Sequence, residues 1–226
     1  MCGRYSLTVT PDELYRLFGI DDKLNLQPRF NVAPTQAAPV VRKTGGKKNM
    51  DMLRWGLIPP WSKDASIASK LINARGETVA EKPSFRSAYE SRRCLVPVDG
   101  FYEWRTEGGK KQPFRIGFRE GKPFAFAGLW ESWTVPEGLE DTGDTVETFT
   151  IVTTSANPKL VPIHHRMPVI VDPTDYELWL EGGSDEANAV IKPFSQDDMA
   201  FYRVSTRVNN VRNDDEACVE PLKKAS

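Results

Sequence analysis

Short apolar runs separated by paired glycines constrain this chain more than any other feature. Val40-Val41-Arg42, Gly45-Gly46 and Met50 to Trp55 read as strand, turn, strand. Cys94 to Val98, Phe101 to Arg105, Pro113 to Phe118 and Phe124 to Trp133 continue the pattern, with Gly108-Gly109 and Gly121 at the turns. Glu147 to Thr154, Val169 to Val171 and Ala200 to Ser205 complete the strands. Helices interrupt them. Thr10 is placed as an N-cap, with Pro11 in the first turn, Glu13 closing a capping box and Gly19 as the stop. Further helices are predicted around Glu77 to Ala80, Ser84 to Ser91, Thr174 to Leu180 and Asp185 to Ile191. Hairpin spacing without regular βαβ alternation predicts an α+β fold, a mostly antiparallel sheet curled toward a barrel with short flanking helices.

The 226 residues suit one domain with a substantial core, spanning 1–226 with a tail frayed from about residue 221. A formal net charge of −1 excludes a bulk electrostatic pull toward nucleic acid, so any polyanion must be held by a local basic cleft. The acidic stretch Pro136 to Asp144 is expected to be a solvated loop. Cys2, Cys94 and Cys218 are odd in number, widely spaced and without a C-x-x-C pair, which points to a reducing compartment rather than a disulfide framework. No apolar run approaches membrane-spanning length and none follows Met1 as a signal peptide would. A cytoplasmic, soluble, monomeric protein is expected.

Met1-Cys2-Gly3-Arg4 carries the most distinctive chemistry. Removal of Met1 leaves a 1,2-aminothiol. Its amine condenses with an aldehyde and its thiol then closes a thiazolidine ring. An α-amine near ~7.7–8.0 is about a tenth unprotonated at neutral pH, and a thiol near ~8.5 is a few per cent thiolate. The same pair can act as nucleophile and base in an N-terminal-nucleophile hydrolase, and Cys2 is equally readable as a small buried residue on a first strand.

Other segments add candidates. Glu103 lies between Tyr102 and Trp104 on a strand, so it faces away from them; turned inward it could transfer protons, turned outward it meets water. Asn73 and Arg75, two apart, fall on one side of an extended segment, where an amide and a guanidinium orient a carbonyl and clamp a phosphate; a buried amide beside a surface arginine is the alternative. His164 and His165 are the only histidines; in an extended segment they point to opposite sides and cannot share an ion, and no other ligand cluster suggests a metal or cofactor. Trp61, in a proline-rich loop, can stack on a base or cover the core edge.

Taken together, Met1-Cys2-Gly3-Arg4, Asn31-Val32-Ala33-Pro34, Trp55-Gly56, Asn73-Ala74-Arg75-Gly76-Glu77-Thr78, Gly100 to Trp104, Thr153, Ile163-His164, Arg166-Met167-Pro168 and Val208-Asn209-Asn210-Val211 form an ordered set covering nearly the whole chain. In that set the chain resembles the SRAP (SOS response-associated peptidase) family, proteins that protect abasic sites by cross-linking to single-stranded DNA. The resemblance implies that the Cys2 amine attacks the aldehyde of a ring-opened abasic sugar and that the Cys2 thiol closes a thiazolidine. It implies that Asn73 positions the Cys2 end, Glu103 shuttles protons and His164 assists ring opening. Arg4, Arg75 and Arg166 become phosphate clamps, Asn31 and Thr153 polar groups lining the site, and Pro34 and Trp61 a wedge at a single-strand/double-strand junction. Autopeptidase release of Met1 and a β-elimination (AP-lyase) activity are implied too, and a DNA-associated location.

Two departures from the family pattern stand out. Ser62 replaces a second aromatic, which puts one stacking contact in doubt, and His165 replaces an acidic residue beside His164. Two other classes compete: a class II glutamine amidotransferase, whose mature chains also begin Cys-Gly, separable by glutamate release; and a non-catalytic single-strand DNA-binding module, which would bind undamaged DNA as well as abasic DNA and only reversibly.

Overall fold

Turn chemistry fixes the local pairing. The computed structural model describes residues 2–21, 24–195 and 197–222. Its strands are β1 (Tyr5–Leu7), β2 (Arg29–Val32), β3 (Ala37–Thr44), β4 (Lys47–Trp55), β5 (Asn73–Arg75), β6 (Arg93–Val98), β7 (Gly100–Glu107), β8 (Lys110–Phe118), β9 (Phe124–Thr134), β10 (Thr145–Ser155), β11 (Arg166–Pro168), β12 (Ile170–Val171) and β13 (Met199–Arg203). The α-helices are α1 (Pro11–Phe18), α2 (Arg86–Ser91), α3 (Tyr176–Glu181) and α4 (Ser184–Val190). Gly45 and Gly46 (φ 59° and 78°) and Gly108 and Gly109 (φ 54° and 77°) supply the two successive positive φ angles of tight hairpins. They close β3 on β4 at Thr44 and Lys47, and β7 on β8 at Glu107 and Lys110.

Helix α1 forms as its sequence specifies. Thr10 accepts from the Glu13 amide, Glu13 returns a bond to the Thr10 amide, and Gly19 ends the helix at φ 64°. The helix predicted at Glu77 to Ala80 is only a 3-10 turn, Gly76–Thr78. That at Thr174 to Leu180 is a 3-10 turn, Pro173–Asp175, running into α3.

Two sheets result. One runs β13-β8-β7-β1-β2, antiparallel throughout. The other runs β11-β10-β4-β3-β6-β9-β12, and the pairing of β9 with β10 closes β10, β4, β3, β6 and β9 into a ring. The curled α+β architecture therefore stands, with parallel pairs of β10 to β4 and of β10 to β5 as the exceptions to its antiparallel pattern. Alternate residues of the ring strands join two cores. Val41, Leu95 and Ala127 pack with the helices through Leu14, Phe18 and Trp179. Val40, Val96, Phe126 and Phe149 pack with Tyr5, Phe101 and Ile116 of the other sheet.

Two residues of the tail expected to fray from about 221 are held in place. Pro221 bridges Val204, and the Leu222 amide donates to Arg203 O at 2.9 Å; Lys223 and Lys224 lie outside the described residues, as does Met1. Among the described residues no helix is long and apolar enough to cross a membrane.

Candidate active site

The ladder between β1 and β7 carries the N-terminal residues to the seam between the sheets. Tyr5 faces Phe101 and Ser6 faces Gly100, and the Tyr102 amide donates to Arg4 O at 3.0 Å, so residues 2–4 run alongside 102–104. Cys2 is fully buried in the same apolar cluster as Phe101. Tyr102 packs instead with Val204, Val208 and Cys218, so strand alternation turns Glu103 to the Phe101 side, where it is 4% exposed. The outward, water-facing alternative for Glu103 is thereby removed. Burial pushes the Cys2 thiol well above its ordinary range, and the Glu103 carboxylate pushes it further.

Asn73 joins the two sheets at this point. Its Nδ2 donates to Cys2 O at 2.8 Å from β5, the strand that pairs in parallel with β10. Its Oδ1 is buried with no hydrogen-bond partner among the described residues.

Beneath β1 and β7 lies a buried polar network that the sequence reading did not assign. Asp99 accepts from Ser6 Oγ (2.6 Å), the Thr8 amide (2.5 Å), Thr8 Oγ1 (2.6 Å) and Arg115 Nη2 (2.8 Å). Gly100 has no side chain because the Arg115 guanidinium occupies that space, 2.6 Å from where a Cβ would stand. The available signal was the Asp99-Gly100 pair at the head of the Glu103 strand.

The β5–β10–β11 edge collects the second group. Arg75 faces Thr153 across β5 and β10, and Ser155 faces Arg166 across β10 and β11. Arg166 is strongly engaged. Its Nη1 and Nη2 grip the Glu77 carboxylate as a fork at 2.6 and 2.9 Å, and Nη2 also reaches Thr153 O (2.7 Å) and Oγ1 (3.0 Å). Thr153 is fully buried. Arg75 is exposed and forms no ion pair among the described residues. His164 Nδ1 lies 3.0 Å from the Arg166 amide and 3.1 Å from Arg166 O, so the ring is held by the backbone two residues on.

The expected opposition of His164 and His165 is overturned: their rings stack at 4.4 Å and 24°. The reason is local. The His164 amide closes a turn onto Leu160 O at 3.0 Å, so the segment is not extended there. Among the described residues no group of three or more His, Cys, Asp and Glu could hold a metal ion.

The remaining candidates are placed differently. Arg4 donates from Nη1 to Asn31 Oδ1 (2.8 Å) and Val208 O (2.6 Å). Asn31 is fully buried, and its Nδ2 donates to the carbonyls of Val208, Asn210 and Asn213 at 3.2, 3.2 and 2.6 Å. These two side chains thus clasp the 208–213 segment against β1 and β2, assisted by Asp214, which accepts from the Phe30 and Asn31 amides. Pro34 enters a turn whose next residue, Thr35, holds φ 73°, a rare conformation for a β-branched residue. Trp61 is 58% exposed. Ser62 is buried beside it, its hydroxyl on Asp64 O and its carbonyl on Trp133 Nε1, so position 62 faces the loop interior.

Comparison with known proteins agrees over the length of the chain. The profile of the SOS response associated peptidase (SRAP) family matches residues 1–211. "Abasic site processing protein YoqW" of Bacillus subtilis is 41% identical over 227 residues, covering 97% of this chain and 99% of its own. "Abasic site processing protein HMCES" of Gallus gallus is 32% identical over 269 residues, covering 98% and 78%. The crystal structure of a Bacteroides thetaiotaomicron protein superposes with a TM-score of 0.88 at 28% identity, over 98% of this chain and all of that one.

Proposed function

This chain belongs to the SRAP family, and from that premise we propose that it processes abasic sites in DNA by forming a covalent adduct through Cys2. The observation that carries the reading is the setting of Cys2: buried, its carbonyl held by Asn73 at 2.8 Å, its thiol sensing the Glu103 carboxylate. The names of the relatives, abasic site processing proteins matched over nearly the whole chain, support the substrate class.

With Met1 removed, the neutral Cys2 amine adds to C1′ of the ring-opened sugar, and loss of water gives an imine. The thiol then adds across the C=N bond: sulfur bonds to C1′ and its proton ends on nitrogen. No oxidant or metal enters that balance. Burial keeps the thiol protonated, so its proton must be taken up as the C–S bond forms. Glu103, on the same strand face, is the relay for protons between amine, water and sulfur. His164, as imidazolium, protonates the ring oxygen of the sugar while the C1′ hydroxyl proton is lost to water, which opens the ring to the aldehyde. Cys2 attack on the Met1 carbonyl, followed by hydrolysis, frees the amine without a second enzyme. Before sulfur closes, the imine also permits β-elimination of the 3′ phosphate. An extruded sugar enters a narrow seam most readily from a single strand or a junction, since a stacked duplex must first lose a few kcal/mol of stacking. Arg75, exposed on β5, is the phosphate contact beside Asn73, and Trp61 and Pro34 form the wedge against the neighbouring duplex.

Intact mass after incubation with an abasic oligonucleotide tests the proposal. A denaturant-stable adduct is expected for the wild-type protein and none for Cys2→Ala, while Cys2→Ser should stop at the labile imine. Full adduct from Cys2→Ala would falsify the chemistry.

A further inference from the structure

The fork between Glu77 and Arg166 is the feature of this edge that the proposed chemistry leaves unused. Arg166 is 13% exposed and Glu77 51% exposed, so the pair sits at the surface with the guanidinium tucked behind the carboxylate. The Glu77 carboxyl is held below its ordinary range, chiefly by its hydrogen bonds from Arg166. A carboxylate and a phosphodiester present the same two-oxygen face to a guanidinium. With Nη2 shared between Glu77 and Thr153 and Nη1 bonded to Glu77, an incoming phosphate must displace the carboxylate or share Nη1 with it. In either case it meets a second negative charge.

We propose that Glu77 is a specificity-determining residue: its carboxylate stands in for phosphate on Arg166 and keeps undamaged strands from binding tightly. Binding that depends on Arg166 is opposed for any strand. A strand with an abasic sugar is retained by the covalent bond at Cys2, and an intact strand has nothing to set against the competition. The device raises discrimination by weakening the wrong complex rather than strengthening the right one. This inference rests on the Cys2 adduct proposed above and adds Arg166 to the phosphate contact at Arg75.

Fluorescence anisotropy with an undamaged single-stranded oligonucleotide, across a salt series, tests it. Glu77→Gln should tighten binding roughly two- to fivefold at low salt, the scale of an exposed ion pair, and steepen the slope of log K against log salt by up to about 0.7. Glu137→Gln, which removes one charge from the remote acidic loop, should leave affinity near wild type. In an Arg166→Ala background Glu77→Gln should no longer steepen the salt slope, because no guanidinium is freed to meet a phosphate; Arg166→Gln, which removes the charge but keeps hydrogen-bonding groups, substitutes if the alanine variant does not fold. Weaker binding by Glu77→Gln overturns the inference, because the carboxylate would then be organising Arg166 for phosphate. An equal gain from Glu137→Gln, or a steepened slope that persists without Arg166, overturns it as well. Adduct mass on an abasic oligonucleotide, read from the same samples, reports separately whether Cys2 chemistry holds.

Discussion

Glu103 and Cys2 show how strand alternation and burial set the surroundings of single side chains. Tyr102 and Trp104 could be assigned to the opposite face from the sequence, but only packing against Phe101 and Cys2 decided that Glu103 faces inward. Glu103→Gln and His164→Ala should each slow adduct formation by roughly 10²–10⁴, the range for a general acid–base group, with smaller effects on DNA affinity. Variants that lose affinity but keep the rate once bound would reassign both to binding. The buried thiols also link stability to pH. Cys2 and Cys94 are both raised, in each case mainly by burial. An unfolded thiol titrates near ~8.5, so as pH rises the unfolded chain releases protons before the folded one. The stability is fully present below ~8.5 and is lost above it, by at most about 1.4 kcal/mol per pH unit for each thiol. Urea unfolding between pH 7 and 10 should show this loss, and Cys94→Ala should flatten it; a midpoint that rises with pH contradicts the sign.

At the scale of elements, the contact between β1 and β7 sets where the Cys2 end lies. Asp99, Arg115 and Ser6 fix that contact from below, and Gly100 gives Arg115 its space. Gly100→Ala must push the guanidinium off a buried carboxylate, a loss on the order of 3 kcal/mol. It should also slow adduct formation, since the same contact carries the Cys2 end alongside the Glu103 strand. Denaturation midpoint and adduct rate measured together check this, and a variant of wild-type stability would show that the network yields without consequence. Local elements were legible where turn chemistry is local: the two glycine-pair hairpins and the capping box of α1 lie where their residues require. Strands β5 and β11, of three residues each, carry too little alternation to be read, and exist because β10 offers them hydrogen bonds on either side.

For the whole molecule, a net charge of −1 means that DNA must be held by a few placed cations. Arg4 and Arg166 are already engaged with protein acceptors, whereas Arg75 is exposed. With Arg75 as the free contact, the slope of log K against log salt for single-stranded DNA should be shallow, on the order of −1, and Arg75→Ala should remove about 0.7 of it. A slope unchanged by Arg75→Ala, or equal affinity for intact duplex, would remove the proposed path. What the sequence by itself determined is what depends on neighbours along the chain: the hairpins, the first helix, the α+β class, and the ordered motifs from Cys2 to Val211. Tertiary structure alone decided the parallel pairing of Arg54 with Thr148, the stacking of His164 on His165, the burial of Asn31 as a clasp and the capture of Arg166 by Glu77. Each joins groups brought together by the packing of separate elements or by a turn, and whether a polar side chain is free or already satisfied is settled by the burial and hydrogen-bond partners that this packing supplies.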